Sequence, residues 1–326
     1  MELLDFDFNL PKRLVAQTPA RPRNHARLLV YNRSSRQITD DYFYNLDKYL
    51  PAQTTVVLNN SKVEKARLRF GAVEVFIAEV LDPFTVQALV RPGKKFMPGK
   101  TTELNGGLIK IETLAVDHEG LRTLRFNKKL NSSVLDKFRL TPLPPYIAQN
   151  ENLSEDYQTV YARPLGSKAA PTAGLHFTPE QLAQIKKHWP VAELTLHVGL
   201  GTFAPVKTKN IDQHKLHYER YELSAAAAKI LNNSQHITAV GTTSARTLES
   251  LKRPFSAASG QTDIFIKPGY EFKNADALVT NFHLPKSTLL MLVAAMTGLD
   301  ELHRIYRHAI AQNYRFYSFG DAMFVV

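Results

Sequence analysis

The chain of 326 residues contains no cysteine. That absence excludes disulfides, thiolate metal sites, iron-sulfur ligation and a thiol nucleophile, leaving chemistry to oxygen and nitrogen groups. Long apolar runs are also missing. The longest, LLMLVAAM at 289–296, falls far short of the roughly 20 residues that a bilayer span requires, so a buried helix is expected there. Near the N-terminus Asp5, Asp7, Lys12 and Arg13 interrupt any apolar stretch, which leaves no room for the hydrophobic part of a signal peptide. The mature chain is therefore expected to begin near Met1, in the cytoplasm. Neither an internal repeat nor a low-complexity segment is found.

Charge is abundant and unbalanced: 41 Lys and Arg against 30 Asp and Glu give a formal net charge of +11. Such an excess favours a polyanionic partner, RNA or an anionic surface. It is concentrated in part between residues 62 and 140, where 15 Lys and Arg face 9 Asp and Glu, or +6. The same stretch carries short β-type runs, VEVFIAEV, TVQALV, GLIKIETLAV and LRTLRF, separated by turn signals such as Asp82-Pro83, Pro98-Gly99 and Asn105-Gly106. Alternation punctuated in this way predicts a small basic antiparallel β-barrel or sandwich. Further basic runs, RPRNHAR, RPGKK and RFNKK, suit phosphate contacts when taken together.

The flanking sequence reads differently. TTVVL at 54–58, AELTLHV, ITAV and DALVT are apolar strands that end in polar residues. Two of these ends, GTTSART after ITAV and NFHLPKS after DALVT, run into helices. In an open α/β sheet, ligands gather where strands end and helices begin, because free backbone N–H groups converge there. Thr178-Pro179-Glu180-Gln181 predicts a helix from 179 to about 188 by its N-cap Thr, its Pro at the first turn and its Gln at the capping-box position. The proline-rich TPLPPYI at 141–147 is a stiff connector. The expected fold is therefore a discontinuous α/β sheet domain, 1–61 and 147–326, with a basic β-barrel inserted at 62–146.

Candidate site residues follow from the strand ends. Thr242, Thr243, Ser244 and Arg246 stand where helix N–H groups are unpaired and could hold a carboxylate or phosphate, or could simply cap the helix. Asn281 and His283 mark the second turn, with a structural histidine as the alternative for His283. In HKLHYERYEL, a helix would put His214 and His217 on one face for zinc, whereas an extended strand would align His217 with Glu219 for proton transfer. Alternation favours the extended form, and a solvated hairpin is the plain alternative. HVGLGTFAP at 197–205 matches a loose G-x-G-x-x-A only weakly, because Pro205 follows at once; a flexible glycine turn beside His197 is the better reading. Asp321, after Gly320, is a candidate acid at a turn.

In order and over nearly the full chain, the segments LNNSKVEKARL, LPPYI, YQTVYA, APTAGLHFT, LTLHVGLGTFAPV, VGTTSARTLES, KPGYEF, DALVTNFHLPKSTLLMLVAA and YRFYSFGDAMF resemble those of the S-adenosylmethionine:tRNA ribosyltransferase-isomerases of queuosine biosynthesis. The resemblance implies an α/β domain with an inserted β-barrel. It also implies a tRNA carrying 7-aminomethyl-7-deazaguanine at the wobble position, and S-adenosylmethionine as a cosubstrate that donates its ribosyl part, releasing adenine and methionine. No prosthetic group or metal is expected, nor DNA or membrane as partner, and the chain is expected to be a monomer. On this basis His217 with Glu219 is expected to act as base and orienter, and His197 or Asp321 as acid. Thr242, Thr243, Ser244 and Arg246 would hold the methionine carboxylate or a nearby phosphate, and Asn281 and His283 the adenine or ribose. An S-adenosylmethionine-dependent RNA methyltransferase and a noncatalytic tRNA-binding protein are the rival classes.

Overall fold

The computed structural model describes residues 1–199, 201, 206 and 208–326. The chain divides into two compact units, one of residues 1–62 and 143–326 and the other of residues 63–142.

The larger unit is built on a nine-stranded mixed sheet, with strands in the order Ala258–Thr262, Glu219–Leu223, Val191–His197, Thr54–Asn59, His236–Val240, Ala277–Asn281, Ala322–Val325, Arg27–Tyr31 and Ile38–Tyr42. The four strands from Val191–His197 to Ala277–Asn281 run parallel. They are apolar because both faces are covered: Thr54–Asn59 is buried at every position, as is Ala277–Asn281. Alternation along the strand sends Val57 to one side and Val56 and Leu58 to the other, as the twofold period of a strand requires. The Val57 side packs against the helices Thr242–Glu249, Thr288–Thr297 and Leu299–Ala311. The opposite side packs against Phe43 and Leu46 of a short 3-10 helix and against Leu182 and Ile185 of the helix Pro179–His188.

Local chemistry sets the helix starts. Thr178 accepts a hydrogen bond from the Gln181 N–H at 3.2 Å, and Pro179 opens the helix as expected. The Gln181 side chain does not close a capping box; it donates to the Phe43 carbonyl at 2.7 Å and ties the helix to the sheet. Ser287 caps the helix Thr288–Thr297, accepting from the Leu290 N–H at 3.2 Å. The apolar run at 289–296 thus lies in a helix buried against the sheet rather than in a bilayer span. No helix among the described residues is long and apolar enough to cross a membrane.

The smaller unit is a curled antiparallel sheet of seven strands, in the order Arg139–Leu140, Arg67–Phe70, Val73–Val80, Thr85–Arg91, Arg122–Phe126, Ile109–Val116 and Thr101–Leu104. In Val73–Val80 the residues Val73, Val75 and Ile77 are buried, and the alternating Glu74, Phe76 and Ala78 are less so. The inward residues join Leu68, Val86, Ile109, Ile111, Leu124 and Phe126 in a core of the unit's own. The turns come where Gly and Asn permit positive φ, at Asn105, Gly106 and Gly107 among others.

Candidate active site

Because four neighbouring strands are parallel, their C-terminal ends share one rim, bringing Asn59, His197, Val240 and Asn281 to the same edge of the sheet. This is where an α/β sheet leaves a crevice for a ligand. A cavity opens there, lined by residues at three strand ends, Val198, Gly241–Thr243 and Thr280–Leu284 with Ser287, together with Tyr146, Ala169–Ala173, Leu289, Tyr317 and Ser318.

The turn at Gly241 shapes one wall. Gly241 is the N-cap of the helix Thr242–Glu249 at φ +88°, with no side-chain cap. Only glycine adopts that conformation without strain, and the missing cap leaves the first helix N–H groups without the side-chain acceptor that Ser, Thr or Asp would supply. Thr242 and Thr243 line the cavity, and the Thr243 hydroxyl is buried with no hydrogen-bond partner among the described residues. Ser244 is not available to a ligand. Its hydroxyl donates back to the carbonyl of Val240, the last residue of the preceding strand, at 2.8 Å.

The second wall centres on Asn281, whose Nδ2 donates to His176 Nε2 at 3.0 Å and to the Tyr317 carbonyl at 3.3 Å. Its Oδ1 is buried and unpartnered among the described residues. His283 pairs through Nε2 with the Thr280 hydroxyl at 2.8 Å, while its backbone N–H donates to the Tyr306 hydroxyl at 3.0 Å. Burial pushes the pKa of His283 down to about 3. His176 is pushed down to about 3 as well, by burial first and then by the fields of Arg315 and Arg23. Both imidazoles are therefore neutral across the physiological range.

Aromatic faces complete the cavity. Tyr146 and Tyr317 pack at 4.7 Å between ring centroids, and Phe282 lies beside them in the lining. The Tyr146 hydroxyl, with its pKa pushed up to about 12 by burial, shares a 2.7 Å hydrogen bond with Ser318. Tyr317 holds φ +72°, an uncommon state for an aromatic residue. It is kept there by its own N–H, which donates to the Phe282 carbonyl at 3.0 Å, and by the Gly320 N–H donating to its carbonyl at 2.9 Å. Backbone strain of this kind persists where the surroundings over-determine it, commonly at binding sites.

The remaining expected residues lie outside this lining. Glu219 and Arg246 form a buried ion pair. The second carboxylate oxygen of Glu219 accepts the Gly199 N–H at 2.9 Å, and Arg246 Nε donates to the Ile264 carbonyl at 3.2 Å. The expected roles of Glu219 as orienter of His217 and of Arg246 as carboxylate clamp therefore need correction: Glu219 is set against Arg246 and the Gly199 N–H, and Arg246 against Glu219 and the Ile264 carbonyl, contacts that hold the loop after Val191–His197 against the next strand. His217 is exposed, in an irregular segment before the strand Glu219–Leu223, with its ring close against Gly201. His197 sits at its strand end with its ring close against Gly166. Most of the weak G-x-G-x-x-A segment, Leu200 and Thr202–Pro205, lies outside the described residues. Asp321 accepts the Arg27 N–H at 2.9 Å and the Arg315 N–H at 2.7 Å. Fully buried by these bonds, it latches a turn to the sheet and is poorly placed to act as the acid.

A sequence model of the Queuosine biosynthesis protein family matches residues 3–325. The chain belongs to this family. Among its relatives it is 44% identical to the S-adenosylmethionine:tRNA ribosyltransferase-isomerase of Desulfitobacterium hafniense, with both chains covered in full. It is 46% identical to the protein of that name from Natranaerobius thermophilus, over 100% of this chain and 99% of that one. The crystal structure of S-adenosylmethionine tRNA ribosyltransferase from Thermotoga maritima is similar over 99% of this chain and 100% of that one, with a TM-score of 0.58 and 36% identity. Within the family's frame, the residues missed by sequence reasoning are His176 and Tyr146. Both lie in segments that carry the resemblance, APTAGLHFT and LPPYI, yet neither segment has a period or motif that singles the residue out.

Proposed function

We propose that this chain transfers and isomerises the ribosyl moiety of S-adenosylmethionine onto 7-aminomethyl-7-deazaguanine at the wobble position of tRNA, forming epoxyqueuosine and releasing adenine and methionine. Membership of the family over residues 3–325 carries the reading, and the cavity fits the donor. Uncapped helix N–H groups at Gly241–Thr243 suit the methionine carboxylate. The rings of Tyr146 and Tyr317 suit the sulfonium, through cation-π contacts worth about 0.5–2 kcal/mol. Asn281 and His283 suit the adenosyl part.

The sulfonium acidifies the neighbouring 5′ hydrogens, so a neutral imidazole can remove one and the resulting ylide can expel adenine. His217 is the proposed base, on an exposed segment beside the loop that continues from Val198 of the cavity lining. His197 is the proposed acid. The positively charged 62–140 segment is the proposed tRNA-docking element, with a salt-sensitive affinity.

Incubation with S-adenosylmethionine and a tRNA bearing the modified base tests this. Free adenine and methionine are expected; S-adenosylhomocysteine would indicate methyl transfer, and unconsumed donor would indicate a binding protein. Replacing Lys94 and Lys95 with Ala should lower the slope of log affinity for tRNA against log salt by about 1.4–1.8, at 0.7–0.9 per phosphate contact, without changing donor binding.

A further inference from the structure

The neighbours of Asn281 fix the orientation of its side-chain amide, with a chemical consequence. A carbonyl oxygen only accepts hydrogen bonds, so the side-chain atom facing the Tyr317 carbonyl at 3.3 Å must be the NH2. The same NH2 meets His176 Nε2 at 3.0 Å. A neutral imidazole that accepts there carries its proton on Nδ1. Two acceptors thus hold the amide nitrogen on one side, and Oδ1 is left buried on the other with no partner among the described residues. Asn281 is only 2% exposed, so water does not readily satisfy that oxygen, and a buried unpaired acceptor costs about 1–3 kcal/mol.

The missing donor is a neutral one. None of the described residues lining the cavity is Asp, Glu, Lys or Arg, and the lining histidine, His283, is neutral. An ammonium placed against Asn281 would lie in that uncharged wall without a counterion, an expensive arrangement. The exocyclic amino group of adenine is a neutral N–H donor at the edge of a flat ring, and Tyr317 lines the same cavity beside Asn281.

We infer that His176 is a positioning residue that sets base specificity: by holding the Asn281 NH2, it presents Oδ1 as a fixed acceptor for the 6-amino group of the donor's purine. The inference rests on the proposed use of an adenosyl donor, but it is read out by binding and needs no turnover. Were His176 unable to accept, the amide would lose one of the two bonds that orient it. It could then turn and offer its NH2 to a base bearing oxygen at position 6.

The test compares binding of S-adenosylhomocysteine and S-inosylhomocysteine, which differ at position 6 and do not react, by calorimetry on the whole protein. Wild type should prefer the adenosyl compound by about 30-fold or more, since a site built around one hydrogen bond rejects the analogue that reverses it. His176→Phe should shrink that preference at least tenfold. His176→Gln, whose amide oxygen can still accept from Asn281, should keep it within about threefold of wild type. His176→Leu repeats the first variant if Phe does not fold. Equal binding of the two compounds by wild type would overturn the inference, and so would an unchanged preference in His176→Phe or His176→Leu. Failure of adenine release with modified tRNA, alongside an intact base preference that depends on His176, would instead fault the proposed reaction and leave this inference standing.

Discussion

Two buried polar groups stand on one helix and its neighbours and are treated in opposite ways. Glu219 and Arg246 are charged and satisfied: each carboxylate oxygen has a donor, and the guanidinium reaches both a carboxylate and a carbonyl. Thr243, less than one turn earlier on the helix, and Asn281, across the rim, are neutral and each keep a buried oxygen without a partner among the described residues. The first pair holds the loop and the strand in register. The second set is left incomplete among the described residues, which is what a preorganised binding wall requires. Residue type alone would have ranked them the other way, since Arg and Glu look more functional than Thr and Asn.

The contrast can be broken most forcefully at the ion pair. Arg246→Met removes the guanidinium that pairs with the buried Glu219 carboxylate, and a stability loss of about 3–5 kcal/mol is expected by urea denaturation. A loss below 1 kcal/mol would mean that the pair is no scaffold. Asn281→Ala should instead act on the ligand, weakening S-adenosylhomocysteine binding about 10- to 100-fold, as loss of a buried hydrogen bond of about 1–3 kcal/mol implies. Unchanged binding in a folded variant would remove Asn281 from the site.

The neutral imidazoles offer a sharper cut through pH. His176 and His283 are held down to about 3 in the folded protein, against about 6.5 when unfolded. Their folded pKa values are depressed, so the unfolded chain binds the additional protons, and stability falls as pH drops from about 6.5 towards about 3. Near pH 5 each should contribute about one proton taken up on unfolding, or about 1.4 kcal/mol per pH unit. Replacing either with Gln should reduce the measured uptake by about one proton; no reduction would contradict its burial as a neutral group. Smallest of all, Thr243→Val removes an unpartnered hydroxyl at nearly constant shape. Stability should hold or rise slightly, while ligand affinity falls by about 1 kcal/mol. A clear stability loss would mean that the hydroxyl serves the fold.

Much of this architecture is legible in the sequence because it is local. Apolar runs ending in polar residues mark the strands Thr54–Asn59, His236–Val240 and Ala277–Asn281, and Thr178 and Ser287 mark helix starts through the caps that they form. Two strand-to-helix turns correctly point to one rim, since parallel neighbours must end on the same side. Side-chain pairings across that rim are not local. Arg246 meets Glu219 only when the strand Glu219–Leu223 is laid beside the helix, and nothing in ERYEL or TSART requires it. Likewise, Asp321 after Gly320 reads as an exposed turn acid until the Arg27 and Arg315 N–H groups close on it. His176 was invisible because its partner Asn281 is 105 residues away.

The account's core is that a cavity at the rim of the parallel strands, uncharged among the described residues, takes the purine of the donor through buried oxygens that have no partner among those residues. A crystal structure with S-adenosylhomocysteine bound tests it most directly. The adenine amino nitrogen is expected within about 3.2 Å of Asn281 Oδ1, the ordinary reach of an N–H···O bond, with the amino-acid carboxylate towards Gly241–Thr243. A purine seated elsewhere, with Asn281 Oδ1 still unpaired, would contradict the account.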